Sequence, residues 1–93
     1  MIKVVGRDLW RGGVKIGFVG EGHITDHSGE RVGTYSSDYV FDRTGRKIAH
    51  IEGDYIYFSG SGQRIRIEDN NRDVVGGNLS NIQKAAARVL LGE

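Results

Sequence analysis

Histidines beside carboxylates are the first side chains of this sequence whose types and spacing suggest chemistry. His23, Asp26 and His27 form a His-x-x-Asp-His cluster. Imidazole and carboxylate groups are ligands that suit zinc or manganese. However, Asp26 also stands at the first position of an expected turn, where its carboxylate would bind the turn's own amides. The turn is the simpler interpretation, so we expect no metal site and no cofactor.

A hydrolytic site could in principle be built from His50 with either Glu52 or Asp54. The sequence has no cysteine. It also lacks the nucleophile elbow of serine hydrolases, a phosphate-binding loop and a dinucleotide-binding motif. No group of residues combines a nucleophile or a metal with a positioned base. We therefore predict that the protein is not an enzyme.

Four basic residues recur at nearly constant spacing. Each follows a glycine by two positions, and these glycines are 16, 16 and 17 residues apart. If the segments that carry them surround an axis, the cations form a ring that attracts an anion or a nucleic-acid backbone. The alternative is a solvated strand position that keeps sheet edges from pairing. The four residues are Lys15, Arg31, Lys47 and Arg64.

Aromatic residues recur with the same period. Their main column has one member in each copy, with threonine in the second copy, and two tyrosines stand two positions before members of this column. Residues two apart share one face of a strand. The column consists of Trp10, Thr25, Phe41 and Tyr57, and the two tyrosines are Tyr39 and Tyr55.

Small residues form a third column, two positions after the basic one: Gly17, Gly33 and Ala49. We expect the aromatic rings to lie across from these residues, because a ring laid over a glycine pins the register of neighbouring strands. The alternative is an exposed aromatic surface for a partner protein, a sugar or a nucleobase.

These columns belong to a repeat of about 16 residues. In the two middle copies, Asp-x-x-Gly fits a type I turn followed by a glycine with positive φ. The flanking segments alternate and are β-branched or aromatic, so each copy is predicted to be a β-hairpin. Segments 2–5 and 72–75 are predicted to be a first and a last strand that pair or approach each other and thereby close the ring of hairpins.

The C-terminal segment has a different pattern. Ser80 and Gln83 form a capping-box pair, and apolar residues then recur at helical spacing. The sequence predicts an amphipathic helix over roughly 81–91, whose apolar side covers the β-unit or the same helix of a partner subunit. We accordingly divide the single domain into a hairpin repeat at 1–77 and a helical segment at 78–93.

Composition limits the class of protein. The chain has 93 residues, 15 glycines, no proline and a formal net charge of +1. This charge is too balanced to predict binding that is driven by electrostatics over the whole surface. No apolar run suits a signal peptide or a membrane span. We therefore expect a soluble cytoplasmic protein with no membrane partner.

The glycine-turned hairpins resemble the four-fold β-flower family, small bacterial domains of four hairpins around a pseudo-four-fold axis. The resemblance covers roughly residues 2–75 and implies the fold alone, with no activity or site residues. The last copy departs from the pattern through Arg66 and a longer turn. The matching segments are Gly13-Val14-Lys15-Ile16-Gly17, Gly29-Glu30-Arg31-Val32-Gly33, Gly45-Arg46-Lys47-Ile48-Ala49 and Gly62-Gln63-Arg64-Ile65-Arg66.

The sequence thus predicts a mostly β protein: a pseudo-four-fold hairpin repeat that closes on itself, plus one C-terminal α-helix. We expect a non-enzymatic binding or assembly module that forms a homo-oligomer or binds a protein partner. The alternative is an anion- or nucleic-acid-binding domain that uses the basic column, although a nucleic-acid partner is not favoured. The expected interaction surface consists of Trp10, Tyr39, Tyr55, Ile82, Val89 and Leu90.

Overall fold

The computed structural model describes residues 1–92 as one ten-stranded sheet with two helices. The chain is therefore mostly β, as predicted. Glu93, the last residue of the predicted helical segment 78–93, lies outside the described residues. The strands are β1 (Ile2–Val5), β2 (Asp8–Arg11), β3 (Val14–Val19), β4 (His23–Asp26), β5 (Arg31–Ser36), β6 (Tyr39–Asp42), β7 (Lys47–Glu52), β8 (Tyr55–Phe58), β9 (Arg64–Arg66) and β10 (Val74–Val75), and the helices are α1 (Ile67–Asp73) and α2 (Asn81–Leu91).

Strands β1 to β9 follow one another as antiparallel neighbours, and β10 lies parallel to β1. The first strand thus pairs with the last one, through Ile2 with Val74 and Lys3 with Val75. The sheet is nevertheless not closed, because β9 and β10 remain its two edges. The prediction that the hairpins close on themselves is therefore wrong.

Helix α1 separates these two edges, and the sequence analysis does not predict it. The chain leaves β9 after three residues and forms α1 before it reaches β10. Glu68 and Asp69 lie in the first turn of α1 and Arg72 in its last turn, which suits the helix dipole. Arg72 also pairs with Glu68 at 3.1 Å and with Asp69 at 3.3 Å. The predicted final strand 72–75 is therefore reduced to Val74–Val75.

Helix α2 has the predicted bounds, and its capping box is present. The Ser80 hydroxyl accepts a hydrogen bond from the Gln83 amide, and the Gln83 side chain accepts one from the Ser80 amide at 2.8 Å. The helix packs against β3 to β6 of its own sheet. Neither helix in residues 1–92 is long and apolar enough to span a membrane.

The face of the sheet covered by α2, here called the inner face, carries the core. Glycines let the helix approach this face closely. A Cβ on Gly33 would lie 2.5 Å from Leu90 Cδ2, and a Cβ on Gly17 would lie 2.8 Å from Leu91 Cδ1. The two glycines of the small column therefore pack against leucines of α2, and the small residues lie across from Leu9, Ile24 and Val40, so the expectation that the aromatic column covers them is wrong. The buried apolar residues are Ile2, Val4, Leu9, Val19, Ile24, Val40, Ala49, Ile56, Val74, Ala85, Ala86 and Ala87.

Three strand pairs contain the same irregularity. The register shifts by one residue within β2–β3, β4–β5 and β6–β7, and β8–β9 has no shift. Each shift leaves one residue of the second strand without a partner, which is a β-bulge. As a result, the basic residue before the bulge points away from α2 and the small residue after it points toward α2. The unpaired residues are Ile16, Val32 and Ile48.

The two middle turns are built as predicted. One carboxylate oxygen of Asp26 accepts hydrogen bonds from the Ser28 amide at 2.9 Å, the Ser28 hydroxyl at 2.6 Å and the Glu30 amide at 3.0 Å. Asp42 makes the same three bonds with Thr44 and Arg46. In both turns the glycine has a φ of 89°, which other residues rarely adopt.

Candidate functional site

The face of the sheet opposite α2, here called the outer face, carries both predicted columns. Side chains alternate along a strand, and the residue before each member of the aromatic column is buried. Each basic residue lies directly across the strand pair from a member of that column. The pairs are Trp10 with Lys15, Thr25 with Arg31, Phe41 with Lys47, and Tyr57 with Arg64.

The sheet on which the four cations lie is open, so the closed ring of hairpins that the expected cation ring requires is not formed. They instead follow one another across successive strand pairs of a single face. This is a correction to the arrangement expected for Lys15, Arg31, Lys47 and Arg64. The change matters chemically, because a row of cations follows an extended polyanion, whereas a ring suits a single central anion.

Five ring side chains on β6, β7 and β8 form a continuous cluster on this face, which we call the aromatic surface. His50 stacks on Tyr57 with ring centroids 5.2 Å apart and an interplanar angle of 15°. Tyr39 lies 6.2 Å from His50, and Tyr55 lies 6.1 Å from Tyr57. Phe41 completes the cluster at 6.3 Å from Tyr39. Tyr39 is 42% exposed, so the cluster is open to solvent.

Two cations lie over rings of the aromatic surface. Lys47 Nζ is 4.8 Å from the centroid of the Tyr39 ring, and Arg64 Cζ is 4.3 Å from that of Tyr55. A cation within about 6 Å of a ring centroid is attracted by the π-electrons. These contacts hold the positive charges next to the rings, so that one ligand can meet both.

Charge is segregated between the outer face and the rest of the molecule. By strand alternation, six cations and two carboxylates point outward, whereas the whole chain has a formal net charge of only +1. The other surfaces consequently carry an excess of negative charge. The outward cations are Lys3, Lys15, Arg31, Lys47, Arg64 and Arg66, and the outward carboxylates are Asp8 and Glu52.

The last hairpin explains why Arg66 departs from the small column. Strands β8 and β9 pair without a bulge, so Ile65 lies across from the inward-pointing Ile56, and Arg66 lies across from Tyr55. Arg66 therefore points outward, whereas Gly17 and Gly33, which precede it in the same sequence column, lie against α2. The departure adds a sixth cation to the outer face beside the aromatic surface.

The remaining predicted interaction residues are divided between the two faces. Tyr39 and Tyr55 belong to the aromatic surface, and Trp10 lies on the outer face at the opposite end of the sheet. The three helical residues are half-buried and pack against the core of the same chain. They are Ile82, Val89 and Leu90.

The histidines and the carboxylates near them make local contacts. The Asp26 carboxylate accepts the hydrogen bonds of its own β-turn. Those from the Ser28 hydroxyl and from nearby backbone amides lower the pKa of its carboxyl group. His50 lies 3.5 Å from Glu52 but stacks on Tyr57. Within residues 1–92, no three His, Cys, Asp or Glu side chains are grouped closely enough to hold a metal ion.

Sequence reasoning missed three members of the outer face. The sequence suggests only a hydrolytic role for His50, whereas its position opposite Tyr39 and Tyr57 makes it part of a ring cluster. Lys3 lies outside the repeated basic column, and the alternation of buried Ile2 and Val4 around it is the signal that places it on the outer face. Phe18 is 38% exposed and follows the inward-facing Gly17.

Comparison of this chain with protein-family models, with curated proteins and with solved structures finds no match.

Proposed function

We propose that this protein is a non-enzymatic module that binds single-stranded nucleic acid on the outer face of its sheet. The observation that carries the proposal is the pairing of the basic column with the aromatic column, strand pair by strand pair, on one solvated face. Stacking platforms beside positive charge are the common way in which proteins bind single strands.

The aromatic surface supplies the stacking. Its rings are in mutual contact across β6, β7 and β8. Base–aromatic stacking is worth about 1–3 kcal/mol per base and tolerates any sequence, because every base has a π-face. A duplex hides its bases in the stack, so this surface favours a single strand.

The cations supply the backbone contacts. Lys47 and Arg64 lie beside the rings, and Arg66 projects from the adjacent edge strand. Phosphates that neutralise such residues release counterions, which makes the affinity fall steeply with salt. The excess positive charge of the outer face favours this partner even though the chain as a whole is nearly neutral.

We further propose that the hairpins form a pseudo-four-fold repeat in which each copy contributes one cation beside one column residue. In this view each copy of the repeat is a subsite that binds part of the single-stranded nucleic acid. The second copy, with Thr25 in the aromatic column, is then the weakest subsite because threonine offers no ring.

The assembly module favoured by the sequence ranks second. Its helical stripe is packed on the sheet of the same chain, so Ile82, Val89 and Leu90 are already engaged. A homo-oligomer would have to form through other surfaces. The nucleic-acid function instead uses side chains that no intramolecular core requires.

The test is fluorescence anisotropy with a short fluorescein-labelled oligothymidylate between about 50 and 200 mM salt. The wild-type protein is expected to bind more weakly as salt rises. Tyr57→Ser should weaken binding by about 1–3 kcal/mol with an unchanged salt dependence. Arg64→Gln should instead reduce the slope of log affinity against log salt by about 0.7.

Lys84→Gln is the matched control, because it removes one positive charge from α2, which covers the opposite face. It should leave both the affinity and its salt dependence unchanged. Absence of binding at the lowest salt concentration would overturn the proposal. Equal losses for Lys84→Gln and Arg64→Gln would overturn it as well, because binding would then not reside on the outer face.

A further inference from the structure

A cleft of about 510 Å³ opens on the outer face at the end of the sheet remote from the aromatic surface. Its volume falls within the range of small-molecule sites, roughly 300–1,000 Å³. Two of its apolar side chains are unusually open, since Met1 is 71% and Val5 57% exposed. The cleft is lined by Met1, Lys3, Val5, Trp10, Gly12 and Gly13.

The indole of Trp10 stands between two lysines. Lys3 lies across from it on β1, and Lys15 lies across from it on β3. Lys15 is held by Asp8 at 3.2 Å. Lys3 is exposed and forms no ion pair with another residue of 1–92. The cleft therefore combines a flat aromatic surface with one uncompensated positive charge.

The turn beside the indole leaves room for a ligand. Gly12 and Gly13 join β2 to β3, and a Cβ placed on either glycine would meet no atom within 4 Å. Backbone without side chains thus forms one wall of the cleft. A flat ring can approach Trp10 along this wall without displacing any part of the protein.

We propose that this cleft binds a nucleotide, with its base against Trp10 and its phosphate at Lys3. A planar ring stacks on indole, and a lysine ammonium is a common phosphate partner. An aliphatic anion would not use the indole face, and an uncharged sugar would leave Lys3 unpaired. The site stands apart from the aromatic surface: β2 and β6 are four strand spacings apart, or roughly 19 Å along the sheet.

Intrinsic fluorescence gives a direct test, because Trp10 is the only tryptophan of the chain. Adenosine monophosphate should quench Trp10 emission saturably as its base stacks. Adenosine should bind more weakly by about tenfold, because it lacks the group that pairs with Lys3. Inorganic phosphate should leave the emission unchanged. No saturable quenching by adenosine monophosphate would overturn the proposal.

Variants assign the signal to this cleft. Lys3→Gln should weaken adenosine monophosphate binding by about tenfold, while Lys84→Gln and Tyr57→Ser should leave it unchanged. An equal loss for Lys84→Gln would overturn the assignment. Tyr57 belongs to the aromatic surface and not to the cleft. Tyr57→Ser can therefore weaken oligonucleotide binding without changing nucleotide binding at Trp10, so the two proposals can fail independently.

The base and phosphate could belong to a free nucleotide or to the end of a strand. A 5′-phosphorylated triadenylate distinguishes these sources. Tighter binding of adenosine monophosphate indicates a free nucleotide, and tighter binding of the triadenylate indicates a strand end. Both results retain a nucleotide site at Trp10. Binding of neither probe would remove the site.

Discussion

The inner and outer faces of this sheet are made from the same strands, but packing restricts the residues of the inner face and not those of the outer face. Neighbouring residues show the contrast most clearly: Ile56 is 1% exposed in the core of the inner face, whereas Tyr57, the next residue, points to solvent and stacks on His50. On the inner face, size decides which residue fits. On the outer face no core has to be filled, so the recurring rings and cations point to a ligand.

The inner face shows how strongly packing restricts sequence. Helix α2 presents Ala85, Ala86 and Ala87 without any exposed surface, and its leucines lie against Gly17 and Gly33. Small residues on both sides allow this close approach, and protein interiors tolerate little change in volume. The outer face has no such restriction, and its residues vary between Trp, Thr, Phe and Tyr within one column.

The largest contrast is expected between Ile56→Ala and Tyr57→Ser. Removing the buried Ile56 side chain should lower the free energy of unfolding by about 2–5 kcal/mol, because it leaves a cavity in the core. Tyr57→Ser should cost only about 0.5–1.5 kcal/mol, mainly through the lost stacking on His50. Urea denaturation followed by circular dichroism measures both values. Equal losses would show that the outer face is also structural.

Gly33→Ala tests the close approach of α2. The added Cβ would lie 2.5 Å from both Leu90 Cδ2 and the Phe41 carbonyl oxygen. Overpacking of this kind should lower the free energy of unfolding by about 1–3 kcal/mol. The control is Thr34→Val, the next residue on the outer face, which should change stability by no more than about 0.5 kcal/mol. A neutral Gly33→Ala would mean that both α2 and the neighbouring strand β6 can shift to admit the methyl group.

Much of this fold could be predicted because its signals are local. The middle turns depend on Asp and Gly three residues apart, and α2 depends on its capping box and apolar spacing. Helix α1 escaped prediction because Ile67–Asp73 has only one apolar residue and therefore no periodicity. Because α1 lies between β9 and β10, these strands do not pair, and the predicted closure of the sheet is wrong for the same reason.

The residues of the candidate site can be predicted as repeated sequence columns, but the sequence does not show that the basic and aromatic columns share one face of the sheet. The sequence aligned the basic and aromatic residues, whereas the β-bulges decide which columns share a face. A bulge changes the face of every following residue in its strand. Without the bulges, the sequence places the small column beside the rings and makes Arg66 an exception to that column.

Ser80→Ala tests how much the capping box of α2, the helix that covers the inner face, contributes to stability. The Ser80 hydroxyl caps α2, and Gln83 of the same capping box donates to the Tyr35 hydroxyl at 2.8 Å. Loss of the cap should lower the free energy of unfolding by about 1 kcal/mol. Ser36→Ala, at an exposed strand end, should change it by less than about 0.5 kcal/mol. Oligonucleotide affinity should be the same in both variants. A loss of affinity in Ser80→Ala alone would show that binding on the outer face depends on the packing of α2 on the inner face.

The smallest effect concerns the turns, where both faces are joined. Hydrogen bonds from Ser28 and Thr44 hydroxyls, with backbone amides, lower the pKa of Asp26 and Asp42 below the ordinary value of 3.8. A carboxyl group whose pKa is lower in the folded state stabilises the protein above its unfolded pKa, and this contribution is lost as the pH falls through its folded pKa. The Asp26→Asn/Asp42→Asn double variant should therefore lose less stability than wild type on acidification below 3.8.

Urea midpoints at neutral pH and below the carboxyl pKa measure this difference, and Asp38→Asn serves as a control in an exposed turn. Identical acid sensitivity of the double variant and the wild type would show that the two turns do not contribute to it. Oligonucleotide binding at neutral pH should not change in the double variant, because its two side chains lie outside the outer face. A change in binding there would mean that the turns set the spacing of the cation–aromatic pairs, and the division between structural and binding residues would then have to include them.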